Sequence, residues 1–198
     1  MEDGRYRQAI PMLQQVLSES PLISAAQLQL GVALARVRRF SEAILALRKA
    51  AQMLPDSTQA QYELGLALYE NGAWQDSVPY FEFVAKKRPK FPDAQYSLAS
   101  VYARIQRVPE AVGLLLGVLK DEPQHFRANL LLGRIYSLQG RADEAVPYLK
   151  QAVVSEPRNA EGHSFLADAY NQIGNSAGAA LEHSRAEALN RKTETQPN

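Results

Sequence analysis

The sequence predicts an all-α fold built from stacked two-helix repeats, and three observations carry that prediction. Prolines 21, 55, 89, 123 and 157 stand 34 residues apart. The same step links the small residues Gly31, Gly65, Ala99, Gly133 and Ala167, and again Ala9, Ala43, Ser77, Ala111, Ala145 and Ala179. Between these markers apolar residues recur at intervals of three and four, the spacing of a helix with one buried face. A fixed period of this size, with no insertion to break it, is the mark of a repeat array.

Each unit divides into two helices. Over 58–91 the first carries Gln61, Leu64, Gly65 and Leu68 on one face. It stops at "ENGAW", where Gly72 offers the left-handed backbone that ends many helices. The second places Ser77, Phe81 and Val84 inward and stops before "RPKFP", since Pro89 and Pro92 cannot continue it. The small residue at Gly65 lets the two helices approach closely, and Ala99 and Ala167 meet the same need. Pro11, Pro79 and Pro147 share a further column, read as prolines tolerated near a first turn, where the missing N–H has no helical partner anyway. The resulting organisation is one domain with a half repeat at 4–23, full repeats at 24–57, 58–91, 92–125, 126–159 and 160–193, and a polar tail over 191–198.

Composition narrows the function. An apolar share of 46% over 198 residues supports a continuous core. Twenty-two Lys and Arg against 21 Asp and Glu leave a charge of +1, without the basic excess that phosphate binding draws on, so no nucleic acid partner is expected. The absence of cysteine removes disulfides, thiolate metal sites and cysteine nucleophiles. No segment has the run of about 18 apolar residues that a membrane span needs, and the first twenty residues hold no signal-peptide core. As written the chain reads as cytoplasmic, with no membrane partner; a periplasmic or extracellular setting is open to it if it is part of a longer protein.

The segments "YELGLALYENGAWQDSVPYFEFVAKKRP" and "LLLGRIYSLQGRADEAVPYLKQAVVSEP" resemble the tetratricopeptide repeat family, with its order of Leu-Gly, aromatic or Leu, Gly, Ala, aromatic or Leu, and Pro. The resemblance runs over about residues 4 to 190. Ser77 departs from the usual Ala, and Trp74 stands where Tyr is more common. The resemblance implies a right-handed α-solenoid superhelix of stacked 34-residue helix-turn-helix repeats, the first helices lining a concave groove. Pentatricopeptide repeats, which read RNA with a 35-residue period, fit less well in period and charge.

The two ends differ. In the last unit His183 and Glu187 stand in columns filled elsewhere by Leu13, Leu47, Phe81, Leu115 and Leu149 and by Leu17, Ala51, Ala85, Leu119 and Val153. Such polar substitution suits a terminal repeat that faces water. At the other end Gly4 falls in the interhelix-turn column, so Ala9, Leu13 and Val16 are expected to lack a covering helix. Three readings follow: the chain is a piece of a longer repeat protein, a partner covers this helix, or two copies pair through it.

No catalytic constellation emerges. His125 lies in a turn between units, and His163 and His183 fall on different helices of the last unit, without the three- or four-residue pairing of a helical metal site. Asp168 follows His163 by five residues, which is not one helix face. No nucleophile elbow or phosphate loop occurs. The expectation is no enzyme activity, no cofactor and no metal.

A binding surface is better supported. One first-helix column runs Leu28, Tyr62, Tyr96, Leu130 and Ser164; adjacent ones bring Leu66 and Tyr69, then Arg104, Arg127 and Arg134, with Glu63, Glu70, Asp93, Glu161 and Asp168 among them. Tyrosine offers wide contact at low entropy cost, and arginine can hold a carboxylate through two bonds. The expected ligand is a protein or peptide with apolar anchors and an acidic group. Tyr62 and Tyr96 act either as such anchors or as packing between helices, while Tyr102, Tyr136 and Tyr170 share the core column of Leu34 and Leu68. Val32, Leu66, Ser100, Arg134 and Asp168 fill the column where the family's carboxylate clamp would need Asn, which disfavours a chaperone-tail receptor. The function expected is a protein-interaction scaffold, the alternatives being the docking region of a larger enzyme such as a glycosyltransferase, or a self-assembly module.

Overall fold

A stripe of apolar residues on every helix needs a neighbour to cover it, and within each of two units each helix packs on the helices adjacent to it in sequence. The computed structural model describes residues 2–194, with side chains over 4–191. Among them there are eleven helices and no strand. Residues Met1–Gln106 form one unit with α1 (Glu2–Glu19), α2 (Ser24–Arg36), α3 (Phe40–Met53), α4 (Thr58–Glu70), α5 (Trp74–Lys87) and α6 (Pro92–Arg104). Residues Arg107–Asn198 form a second with α7 (Val108–Asp121), α8 (Phe126–Leu138), α9 (Ala142–Ser155), α10 (Ala160–Gln172) and α11 (Ser176–Glu194).

In the first unit α2 also touches α4, and α4 touches α6, so these three helices make one layer backed by α1, α3 and α5. In the second unit α8 and α10 adjoin in the same way. Ser77, Phe81 and Val84 on α5 are fully enclosed, as are Ala145, Leu149 and Ala152 on α9. Tyr102 and Tyr136 are buried, and Tyr170 is half-buried.

In the hairpins α2–α3, α4–α5 and α8–α9 the close approach uses a missing methyl group, at Gly31, Gly65 and Gly133. A Cβ on Gly133 would lie 2.5 Å from Leu149 Cγ and 3.3 Å from the Ala145 carbonyl. Leu149 has no exposed surface into which it could retreat. Gly133→Ala is therefore expected to cost about 2 kcal/mol, measured by urea unfolding. Ala167 carries that methyl natively, and its counterpart sixteen residues on is the exposed His183.

The turn inside each hairpin needs a positive φ. Gly72, Gly140 and Gly174 supply it at 82°, 73° and 75°, but the same column holds Arg38 at 62° and Gln106 at 64°. A side chain in that region costs about 1 kcal/mol. Gly4, assigned to this column by the period, is instead helical within α1, a conformation glycine adopts as readily.

The prolines also differ from expectation. Pro79 is the sixth residue of α5 and Pro147 the sixth of α9, beyond the four donors that lack helical partners. Pro11 lies deeper still, inside α1. All three are exposed, so water can satisfy the carbonyl each leaves unbonded. Pro92 opens α6 at the position where proline suits a helix best.

One bond repeats between helices and turns. Gln61 Nε2 donates to the Pro55 carbonyl at 3.0 Å, Gln95 Nε2 to Pro89 at 2.6 Å, and Asn129 Nδ2 to Pro123 at 2.9 Å. Each acceptor lies just past a helix end, where carbonyls need a partner.

Helix α11 continues to Glu194, because nothing between 187 and 194 breaks a helix; positions 195–198 of the tail lie outside the described residues. His183 and Glu187 are exposed. No described helix is long and apolar enough to cross a membrane.

Candidate functional site

In the first unit the candidate surface is the face of α2, α4 and α6 that does not pack on the backing helices. Leu28 lies half-buried against the core. Tyr62, on α4, packs against neighbouring rings. Its ring meets Phe81 edge-on at 5.8 Å and Phe91 at 5.4 Å, and its hydroxyl lies 3.1 Å from Ser97 Oγ and donates to the Asp93 carbonyl at 3.4 Å. These contacts tie α4 to α6. Leu66 and Tyr96 are half-buried.

One turn beyond Leu66 the arrangement changes character. The Arg104 guanidinium donates through Nε to the Tyr69 hydroxyl at 2.9 Å, with its carbon 5.5 Å from the Tyr69 ring centre and 5.0 Å from that of Trp74. A cation between two aromatic rings is held by their quadrupoles. Arg104 is exposed, and its terminal nitrogens make no hydrogen bond among the described residues. They form an oriented, unused fork, the geometry that carboxylates and phosphates match. Trp74, which departs from the family pattern in sequence, stands at the first residue of α5, beside Arg104.

In the second unit Arg127, Arg134 and Asp168 are exposed and Leu130 is half-buried. The Arg134 guanidinium lies 5.4 Å from the Phe165 ring centre, joining α8 to α10. Arg134 and Asp168 share a column but form no ion pair. Phe165 was not among the expected residues, since no column rule marks it.

At the N-terminal helix, Leu13 packs partly buried against the core with Tyr6 and Leu17. Ile10, outside the expected set, is buried, Ala9 is half-buried and Val16 is exposed. Helix α2 packs on α1.

The most enclosed polar cluster lies in the last hairpin. His163, on α10, and Glu182, on α11, are each 5% exposed, with Nδ1 and Oε2 2.5 Å apart. His163 Nε2 is 3.0 Å from the Pro157 carbonyl, and Arg185 donates to Glu182 Oε1 at 2.7 Å. His163 stands in the column of Gln61, Gln95 and Asn129 and makes their bond to a prolyl carbonyl. Both ring nitrogens are engaged, which leaves none to move a substrate proton. His125 accepts from the Ala128 N–H at 3.1 Å and caps α8. Among the described residues no group of three metal-binding side chains assembles.

A model of the tetratricopeptide repeat matches residues 1–58, 33–82 and 62–122, and a second matches 117–168. The chain belongs to the tetratricopeptide repeat family. As such it is similar in fold to MamA: the structure of MamA 41-end from Desulfovibrio magneticus RS-1 gives a TM-score of 0.76 at 23% identity, covering 87% of this chain and 97% of that one. MamA from MSR-1 gives 0.69 at 25% identity, covering 86% and 98%. The fold class is that of a tetratricopeptide-type helical solenoid, typical of protein-interaction scaffolds. No curated protein matches the chain.

Proposed function

We propose that this tetratricopeptide repeat protein is a non-catalytic scaffold that binds a protein or peptide on the first-helix faces of its units. The observation that carries the reading is Arg104, clamped by Tyr69 and Trp74 with its terminal nitrogens open to solvent. Preorganisation is the reason it matters. A surface arginine normally loses side-chain freedom on binding, whereas one already held by two rings has given up much of it in the free protein. An acidic group on the partner would meet an oriented fork, with the Trp74 ring, 36% exposed, as apolar contact beside it. A catalytic role gains no support from the histidines, since one is a cap, one is enclosed with both nitrogens engaged, and the exposed His183 has no partner among the described residues.

The test is capture from the source cell's lysate on the immobilised chain, comparing wild type with Arg104→Ala and Trp74→Ala. The expected result is one protein retained by wild type and reduced about tenfold by either variant, the scale of an interface hot spot. Equal retention with unchanged helicity would overturn the assignment to this face.

A further inference from the structure

Helix α4 carries a second charge that the fold leaves unsatisfied. Glu63 is half-buried, yet among the described residues no donor lies within hydrogen-bonding distance of its carboxylate. Helix α2 packs on α4, and its last residue, Arg36, is near enough to be felt electrostatically but forms no ion pair with Glu63. Val32 lies one turn before Arg36, Leu66 one turn after Glu63, and both are half-buried.

Burial pushes the Glu63 carboxyl above the ordinary glutamate range, and Arg36 offsets this only in part. A carboxylate stripped of some of its water without gaining donors is a cost to the fold. Glutamine would occupy the same volume without it. The sign follows from linkage: a raised folded-state value means that the folded chain binds more protons than the unfolded one, so stability falls as pH rises from the ordinary glutamate range through the raised value. Glu63→Gln is expected to abolish that fall and to raise the thermal midpoint at neutral pH. The other shifted carboxylates, Glu42, Glu110 and Glu144, are held low by hydrogen bonds from Arg39, Arg107 and Arg141, so they drive the opposite trend and do not mask the difference between the two proteins.

We infer that Glu63 receives a lysine or arginine of the bound partner, whose aliphatic stem lies along Val32 and Leu66 and whose cationic head supplies the donors the fold withholds. Long basic side chains suit this setting, since they cover apolar surface with the stem while keeping the head at a polar group. Glu63 and Tyr69, which holds Arg104, are six residues apart, about 9 Å along the axis of α4. The partner segment therefore carries a basic and an acidic residue within a few positions of each other. This inference rests on the scaffold reading and specifies its occupant by charge.

The experiment is selection of a phage-displayed random nonapeptide library on the full chain, on Glu63→Gln and on Arg104→Ala. Wild type is expected to enrich a basic residue at one position and an acidic residue at another, with Glu63→Gln losing about tenfold of the basic enrichment and keeping the acidic one. Acidic enrichment that depends on Arg104, with no basic preference on wild type, would overturn the role of Glu63 and leave the scaffold reading standing. Neither preference would remove both. A lowered thermal midpoint for Glu63→Gln would also overturn the inference, because it would mean that the carboxylate already has a partner within the protein.

Discussion

Replacing Glu182 by alanine is expected to destabilise the last hairpin by about 3 kcal/mol, the scale on which removing one member of a buried polar pair acts. The loss comes from what remains. His163 Nδ1, enclosed between α10 and α11, would face a cavity without an acceptor or donor, while its Nε2 stayed fixed on the Pro157 carbonyl. Arg185 would matter far less, because its side chain is 53% exposed and water can replace Glu182 as its partner. The prediction separates the pair from generic packing through a double exchange. Glu182 stands in the column of Tyr80, Leu114 and Tyr148, and His163 in that of Asn129. His163→Asn combined with Glu182→Tyr restores two residues the other repeats use, and should recover most of the stability that either single change loses. Amide hydrogen exchange along α10, read for the four proteins, checks this; additive losses would rule out coupling between the two side chains.

Phe81→Ala should cost the first unit about 4 kcal/mol, measured by urea unfolding followed at Trp74, the single tryptophan of the chain. Phe81 has no exposed surface, fills the space left by the hydrogen of Gly65, and meets the ring of Tyr62. Its removal would therefore open a cavity bounded by two helices of one hairpin and by the residue that ties α4 to α6. Tyr62 inherits part of this sensitivity. Tyr62→Ala would disturb the same packing, so loss of binding in that variant would say little about contact with a partner. Tyr62→Phe keeps the ring and removes the hydrogen bonds to Ser97 and Asp93.

The behaviour of Tyr62 shows where sequence reading reaches its limit. The period fixes which residues share a position in successive repeats, and from it the hairpins, the enclosed Ser77, Phe81 and Val84 and the core role of Tyr102 and Tyr136 could be read directly. It cannot tell which members of a column reach across to another helix. Tyr62 and Tyr96 share one column, but the bond from Tyr62 to Ser97 spans 35 residues and depends on a hydroxyl in a different column. His163 was obscure for the same reason, since its partner Glu182 lies 19 residues away on the next helix and is polar where the column is mostly apolar. Arg104 was legible as a candidate, yet its orientation by Tyr69 and Trp74 requires three helices to be in place. Where the carboxylate of Glu63 finds no donor is visible only once the neighbours of α4 are known.

The side-chain bonds to the prolyl carbonyls bear on how such a chain can grow. Each spans six residues and ties the start of one hairpin to the end of the previous one, so donor and acceptor are always inherited together by any duplicated stretch of 34. A tandem copy made from any starting point in the period leaves each junction with a donor column six residues after an acceptor column, whereas the gain or loss of one residue inside the span breaks that spacing. The protein is thus free to lengthen by whole modules and resistant to drift between them, and His163, which keeps the joint while recruiting Glu182, shows that a module can specialise without giving up its place in the count.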